Sequence, residues 1–186
     1  DVFVTYMMQK RKEALMNPKC LRVTETYEEE AKRCGFDSVH AYLTDNKFNP
    51  IMSSMIRARF LGAVVDGASA VVVCTTEKAK DYVKKPIEVA GVAMATYVEK
   101  EFAQHPIISD QKMFKTLYSM GGIVDPFKEV EYMGIHDCPA TTVFQGAEGA
   151  GYIREGEAWK YMLEGKVGYD GEKPITTSGG RLEVGH

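Results

Sequence analysis

Five residues in a row, Ile135-His136-Asp137-Cys138-Pro139, put an imidazole, a carboxylate and a thiol together. Histidine donates a hydrogen bond or moves a proton near neutral pH. A thiol beside a histidine and a helix N-terminus favours its thiolate. The pair could supply a proton-transfer group and a donor to a developing oxyanion. On position alone the same residues also fit a buried histidine bonded to backbone beside an inert cysteine. A second group is Thr177-Ser178-Gly179-Gly180, followed by Gly185-His186. Two glycines permit a tight turn and close backbone approach, so a thioester or pantetheine arm could lie there. A plain loop ending in a histidine is equally written in those letters. A third group, Asp66-Gly67-Ala68-Ser69-Ala70, reads as a turn and a closely packed strand.

The elements that must hold these groups follow from periodicity. The first sixty residues are rich in charge and Met, with helices expected over Val4 to Met16 and Thr26 to Cys34. Asn17-Pro18 stops the first and Gly35 the second. Glu28, Glu29 and Glu30 read as a solvated first turn. From Asp66 the pattern turns regular. Strands are expected over Ala68 to Cys74, Ile87 to Tyr97, Val130 to Ile135 and Pro174 to Thr177. Helices are expected over Thr76 to Tyr82, Asp110 to Met120 and Ala140 to Gly149. Strand alternating with helix makes a layered α/β domain, and the first cluster falls at a strand end. No helix is legible after the last Gly-rich turn. The sheet would keep an uncovered face, so the sequence reads as a piece of a longer chain.

Composition excludes more than it assigns. With 45% hydrophobic and 26% charged residues the chain is ordinary globular protein, not disordered. A net charge of -3 offers no case for nucleic acid. No apolar run reaches the roughly 20 residues of a membrane span, and Asp1 to Val4 do not read as part of a signal peptide. Cys20, Cys34, Cys74 and Cys138 lack metal-ligand spacing and do not form a disulfide scaffold, so reduced thiols, no metal and a cytoplasmic location are expected. His40 and His105 read as surface or loop residues, and Trp159 with Tyr161 as packing for the loop between Gly151 and Gly171.

Taken in order, the three groups resemble the thiolase family, nearest to its sterol-carrier-protein type. Asp66 to Val72 looks like the strand opening the family's C-terminal half. His136-Asp137-Cys138 looks like its His-Asp-Cys-Phe motif. Ser178-Gly179-Gly180 with Gly185-His186 looks like Asn-Pro-Ser-Gly-Gly…Gly-His-Pro. Lys12 to Pro18 is similar to the Asn-Ala-x-x-Asn-Pro stretch. The resemblance implies a thiolase fold, with a layered α-β-α C-terminal domain over 61–186, incomplete, after the end of an N-terminal domain and helical loop region over 1–60. It implies that His186 activates a nucleophilic Cys lying outside these residues, that His136 helps form an oxyanion hole, and that Cys138 moves the α-carbon proton. Ser178, Gly179 and Gly180 would line the substrate.

The implied reaction is thiolytic cleavage or Claisen condensation of 3-oxoacyl-CoA, with CoA as substrate and no other cofactor. A homodimer or dimer of dimers is implied, and for some relatives a small zinc-ribbon and OB-fold partner subunit. The alternative is a non-catalytic thiolase-like subunit binding acyl-CoA in a hetero-oligomer. It is motivated by Pro139 in place of Phe and Thr176-Thr177 in place of Asn-Pro. Arg181 and Glu183 also put charges where the family often has apolar residues. A decarboxylating ketoacyl synthase is disfavoured by Cys138.

Overall fold

The structure is a computed structural model that describes residues 1–54, 56–96 and 107–186, the side chains of 107–110 excepted. Helix α1 runs over Val2–Met16. It stops where expected: Asn17 turns to extended backbone ahead of Pro18, and its side-chain oxygen accepts from the Lys19 amide. Helix α2, Tyr27–Arg33, opens with a capping box in which Thr26 and Glu29 satisfy each other's amides. Those bonds hold the Glu29 carboxyl below its usual value. Gly35 takes the left-handed conformation that ends α2. Ser38 caps α3, Val39–Thr44. A short antiparallel pair follows, β1 Ile51–Ser53 with β2 Ile56–Arg57, and then a 3₁₀ turn over Ala58–Phe60.

The regular elements of the C-terminal part are all helices among the described residues. They are α4 Thr76–Ala79, α5 Ile107–Gly121, α6 Pro126–Glu129, α7 Thr142–Gly149, α8 Ala158–Leu163 and α9 Gly180–Glu183. Helix α1 packs against α3, α8 and α9, and α5 packs against α7. Phe3 meets Phe60 at a tilt and Phe144 edge to face, each with ring centroids 5.5 Å apart, joining α1, the 3₁₀ turn and α7.

The four expected strands do not make a sheet among the described residues. Residues 68–74 and 87–96 form no strand and have no ladder partner among the described residues, and Tyr97 lies outside the described residues. Val71, Val72 and Val73 are 88%, 94% and 78% exposed. A run buried on both faces needs neighbouring strands and two covering layers; nothing in the described residues supplies them. What remains of the expected parallel pairing is one bridge between Met133 and Ile175. Helix α9 is a correction of another kind. The Gly-rich turn does feed a helix, one turn long, which the sequence reading lacked.

What positions the C-terminal segment is a pair of inward-facing cations on α1. Lys10 is fully buried and donates from Nζ to the carbonyls of Ile175 (2.6 Å) and Thr176 (3.3 Å). Its partner Glu13 accepts from the Tyr169 amide. Arg11 donates from Nε to Glu183 at 2.7 Å and from Nη1 to Glu30 at 3.2 Å. The Tyr27 hydroxyl closes on Glu183 at 2.6 Å, and the Tyr27 ring lies 3.8 Å from the Arg11 guanidinium carbon. Arg22 and Arg59 reach the same two carboxylates. Glu30 is therefore no solvated helix start, and Glu183 is no surface charge. Removing one partner of such a cluster strands the others without compensation. Arg11→Met should cost about 3–5 kcal/mol in urea unfolding, far more than loss of the exposed Arg33–Glu25 pair.

Candidate functional site

The first cluster sits where segment 133–135 is stitched to 174–176. The Met133 amide donates to Pro174, and the Thr176 amide donates to Met133. The Thr176 side chain adds two bonds, accepting from the Ile135 amide and donating to the Ile135 carbonyl, each 2.9 Å. Thr176 holds φ at +47°, a region costly for a β-branched residue. Its two bonds to Ile135 offset that cost. A residue that looked like a departure from motif thus ties the two motifs together. Gly146 of α7 packs directly on Ile135, which accounts for the small residues expected there.

Past Ile135 the side chains alternate. His136 is exposed, Asp137 is buried, and Cys138 is half-buried. Asp137 points inward and accepts from the Arg181 amide at 2.7 Å, at the start of α9. Gly180, at φ +64°, has no side chain because a Cβ would run into the Asp137 carboxylate. Asp137 Oδ2 and the Tyr6 hydroxyl are both buried without a hydrogen-bond partner among the described residues. Burial raises the Asp137 carboxyl above its usual value, while the Arg181 amide and Lys10 pull it down. Burial and the facing Asp137 and Glu13 carboxylates raise the Tyr6 phenol.

His186 is held by its backbone. Its amide donates to Ala63 at 2.7 Å, and its carbonyl accepts from Val65 at 3.2 Å. Gly62 permits this approach, since a Cβ there would lie 2.6 Å from the Arg181 carbonyl. The Gly62 amide also donates to Cys138 Sγ at 3.3 Å. Cys138 is therefore held differently from the sequence expectation. Helix α7 begins only at Thr142, so the thiol meets a backbone amide and not a helix N-terminus, and Pro139 stands outside the helix.

The three residues singled out as catalytic converge. The ligating atoms of His136, Cys138 and His186 all lie within 4.8 Å of one another. The two imidazoles meet edge to face, with centroids 5.1 Å apart. A cavity of about 440 Å³ opens beside them, lined by His136, Thr176, Ser178, Gly180, Arg181 and Val184 among others. Ser178 is exposed, and Gly179 is buried against Ala14 of α1. Of the three residues expected to line substrate, Ser178 and Gly180 line the cavity, and Gly179 serves packing. Asn17 fixes the turn by donating to the Ser178 carbonyl at 2.9 Å.

The other candidates stay outside. His40 pairs with Asp1 on the surface, and His105 lies outside the described residues. Trp159 is exposed, whereas Tyr161 packs at the core edge. The four cysteines are free. No helix is long and apolar enough to cross a membrane among the described residues. Sequence reasoning missed Arg11, Thr176 and Gly62 as builders of this site. Only the odd charge at Glu183 signalled the network.

Known proteins resemble this chain in sequence and fold. Residues 115–186 match the family described as thiolase C-terminal domain-like. The acetyl-CoA acetyltransferase of Methanocaldococcus jannaschii is 32% identical over 139 residues, covering 70% of this chain and 35% of that protein. The benzoylsuccinyl-CoA thiolase subunit BbsB of Thauera aromatica is 30% identical over 142 residues, covering 73% and 36%. A chain of the Ltp2-ChsH2(DUF35) aldolase superposes with a TM-score of 0.78 at 20% identity, covering 100% of this chain and 46% of its own, a likeness of fold. The chain spans about a third of the length of the curated relatives it matches.

Asp137 gives this site a pH signature. Its folded-state pKa lies above the unfolded one, so folding holds the proton more tightly. Its contribution is present below the ordinary aspartate value and is lost as pH rises through the raised one. Asp137→Asn keeps the acceptor for the Arg181 amide and removes the buried charge. The variant should show a flatter stability profile over that window in pH-resolved urea titrations, and equal or greater stability at pH 8.

Proposed function

Because its C-terminal portion, over residues 115–186, belongs to the thiolase family, we propose that this chain is part of a thiolase-type acyltransferase acting on 3-oxoacyl-CoA. The reaction is thiolytic cleavage or its reverse, Claisen condensation, through an acyl group held on a cysteine outside these residues. Convergence of His136, Cys138 and His186, with His136 lining a cavity, carries this reading. Three groups so spaced can all reach the same two-carbon unit.

In condensation, the Cys138 thiolate takes a proton from the α-carbon of an acetyl thioester. The electron pair moves onto the thioester oxygen, and the His136 N–H stabilises the resulting enolate. The enolate carbon attacks the acyl group on the nucleophilic cysteine, forms the new C–C bond, and expels that thiolate. His186 serves the same cysteine by taking its proton before acylation. Ser178 and Gly180 sit where the thioester arm would pass. Acyl-CoA and CoA are the ligands, and the assembly is a homodimer or dimer of dimers.

A second reading, a non-catalytic subunit that binds acyl-CoA within a hetero-oligomer, draws support from one relative being named a thiolase subunit. A zinc-ribbon and OB-fold partner belongs to either reading.

The full-length protein decides between them. The catalytic reading expects a covalent acyl adduct by intact mass spectrometry and exchange of α-protons of acetyl-CoA with deuterated water. Cys138→Ala should keep the adduct and lose exchange by about 10²–10⁴-fold. His136→Ala should lower kcat by about 10²–10³-fold, the usual loss for one oxyanion donor. A full-length protein with neither adduct nor exchange leaves the subunit reading.

A further inference from the structure

The residues that the acyl-transfer reading uses form a set whose chemistry is wider than acyl transfer. Two imidazoles and one thiol, with all ligating atoms within 4.8 Å of one another, make a His₂Cys donor group. The sequence hides it, because His136 and Cys138 lie far in the chain from His186 and the spacing fits no metal motif. We propose that His136, Cys138 and His186 form a binding site for a soft divalent cation, Zn²⁺ foremost, with its fourth position open to solvent or to a ligand.

Several observations carry this beyond the mere presence of the donors. Tetrahedral Zn²⁺ takes nitrogen at about 2.0–2.1 Å and thiolate sulfur at about 2.3 Å, which puts its ligands roughly 3.3–3.6 Å apart. The present spacing needs to contract by at most about 1.5 Å, within reach of side-chain rotation. Both imidazoles are exposed and free to turn. The backbone that carries them is not free: His186 is bonded on both sides to Ala63 and Val65, and segment 133–135 is stitched to 174–176. The Gly62 amide already points at Cys138 Sγ, which is the outer-shell hydrogen bond a metal-bound thiolate uses. Thiolate with imidazole selects zinc-like ions over Mg²⁺ and Ca²⁺, which demand oxygen ligands.

The binding step balances simply. Zn²⁺ enters with its waters, the Cys138 S–H proton leaves to solvent, and one Zn–S and two Zn–N bonds replace bonds to water. Each imidazole binds neutral, through its unprotonated nitrogen. Net, one proton leaves per metal bound when both imidazoles start neutral. Metal binding needs no acyl chemistry. The consequence that bound Zn²⁺ excludes acyl transfer rests on the proposed function, because Cys138 and both imidazoles cannot serve metal and thioester at once.

The test uses Co²⁺ on the full-length chain, as an optical stand-in for Zn²⁺. Saturable one-to-one binding is expected, with intense visible bands of tetrahedral Co²⁺, a near-ultraviolet thiolate-to-cobalt band, and displacement by Zn²⁺. Cys138→Ser should remove the near-ultraviolet band. His136→Gln and His186→Gln, both at exposed positions, should each weaken binding by about tenfold or more. A near-ultraviolet band that survives Cys138→Ser, the weak spectrum of octahedral Co²⁺, or no saturable binding each overturn the site. Deuterium exchange without metal binding would sink this inference and spare the acyltransferase reading; metal binding without exchange or adduct would do the reverse.

Discussion

The site exists because α1 turns its charges inward. Lys10 and Arg11 are adjacent in sequence and grip different parts of the C-terminal segment, one by backbone carbonyls near Ile175, the other by the Glu183 carboxylate. Between those grips lie the turn, the two glycines and α9. Hydrophobic burial alone would tolerate sliding of this segment over α1, since apolar contact is non-directional. Hydrogen bonds to buried cations are directional and costly to leave unmade. They fix the register of residues 175–183, and that register brings His186 beside His136 and Cys138. Asp137 adds the last constraint from the other side, through the Arg181 amide.

This arrangement also accounts for where the motif letters differ. Thr176 stands where the resembling motif has Asn, a residue that adopts positive φ easily. Threonine reaches the same backbone state by bonding twice to Ile135. Glu183 stands where apolar residues are usual, and Arg11, Arg22 and Tyr27 surround it. Burial pushes the Glu183 carboxyl up, and Arg11 and the Tyr27 hydroxyl pull it back. Each departure is answered by a partner elsewhere in the chain.

Local elements were legible in the sequence, and so were the residue types of the candidate site. Asn17-Pro18 and Gly35 announced the ends of α1 and α2, because breakers act over a few residues. The three reactive side chains were found by type. Their convergence was not, because the approach of 61–65 to His186 depends on one glycine without a sequence signature. Glu30 of α2 read as part of a solvated first turn, since the letter Glu does not say which way it faces. The apolar runs at 68–74 and 87–96 misled for the opposite reason. They carry the composition of buried strands, but a ladder is a property of neighbours, and the described residues provide none.

The burial of the Arg11–Glu30–Glu183 cluster sets how the site responds to ionic strength. Mobile ions screen exposed charges over roughly 10 Å at 0.1 M salt and reach buried pairs far less. Surface pairs such as Lys128–Asp125 and Lys78–Asp81 fade as salt is added. The clamp that sets His186 in register lies beneath that layer. A site scaffolded in this way keeps its geometry across a wide range of salinity, so any dependence of ligand binding on salt would belong to the ligand's own charges and to Arg181 at the cavity rim.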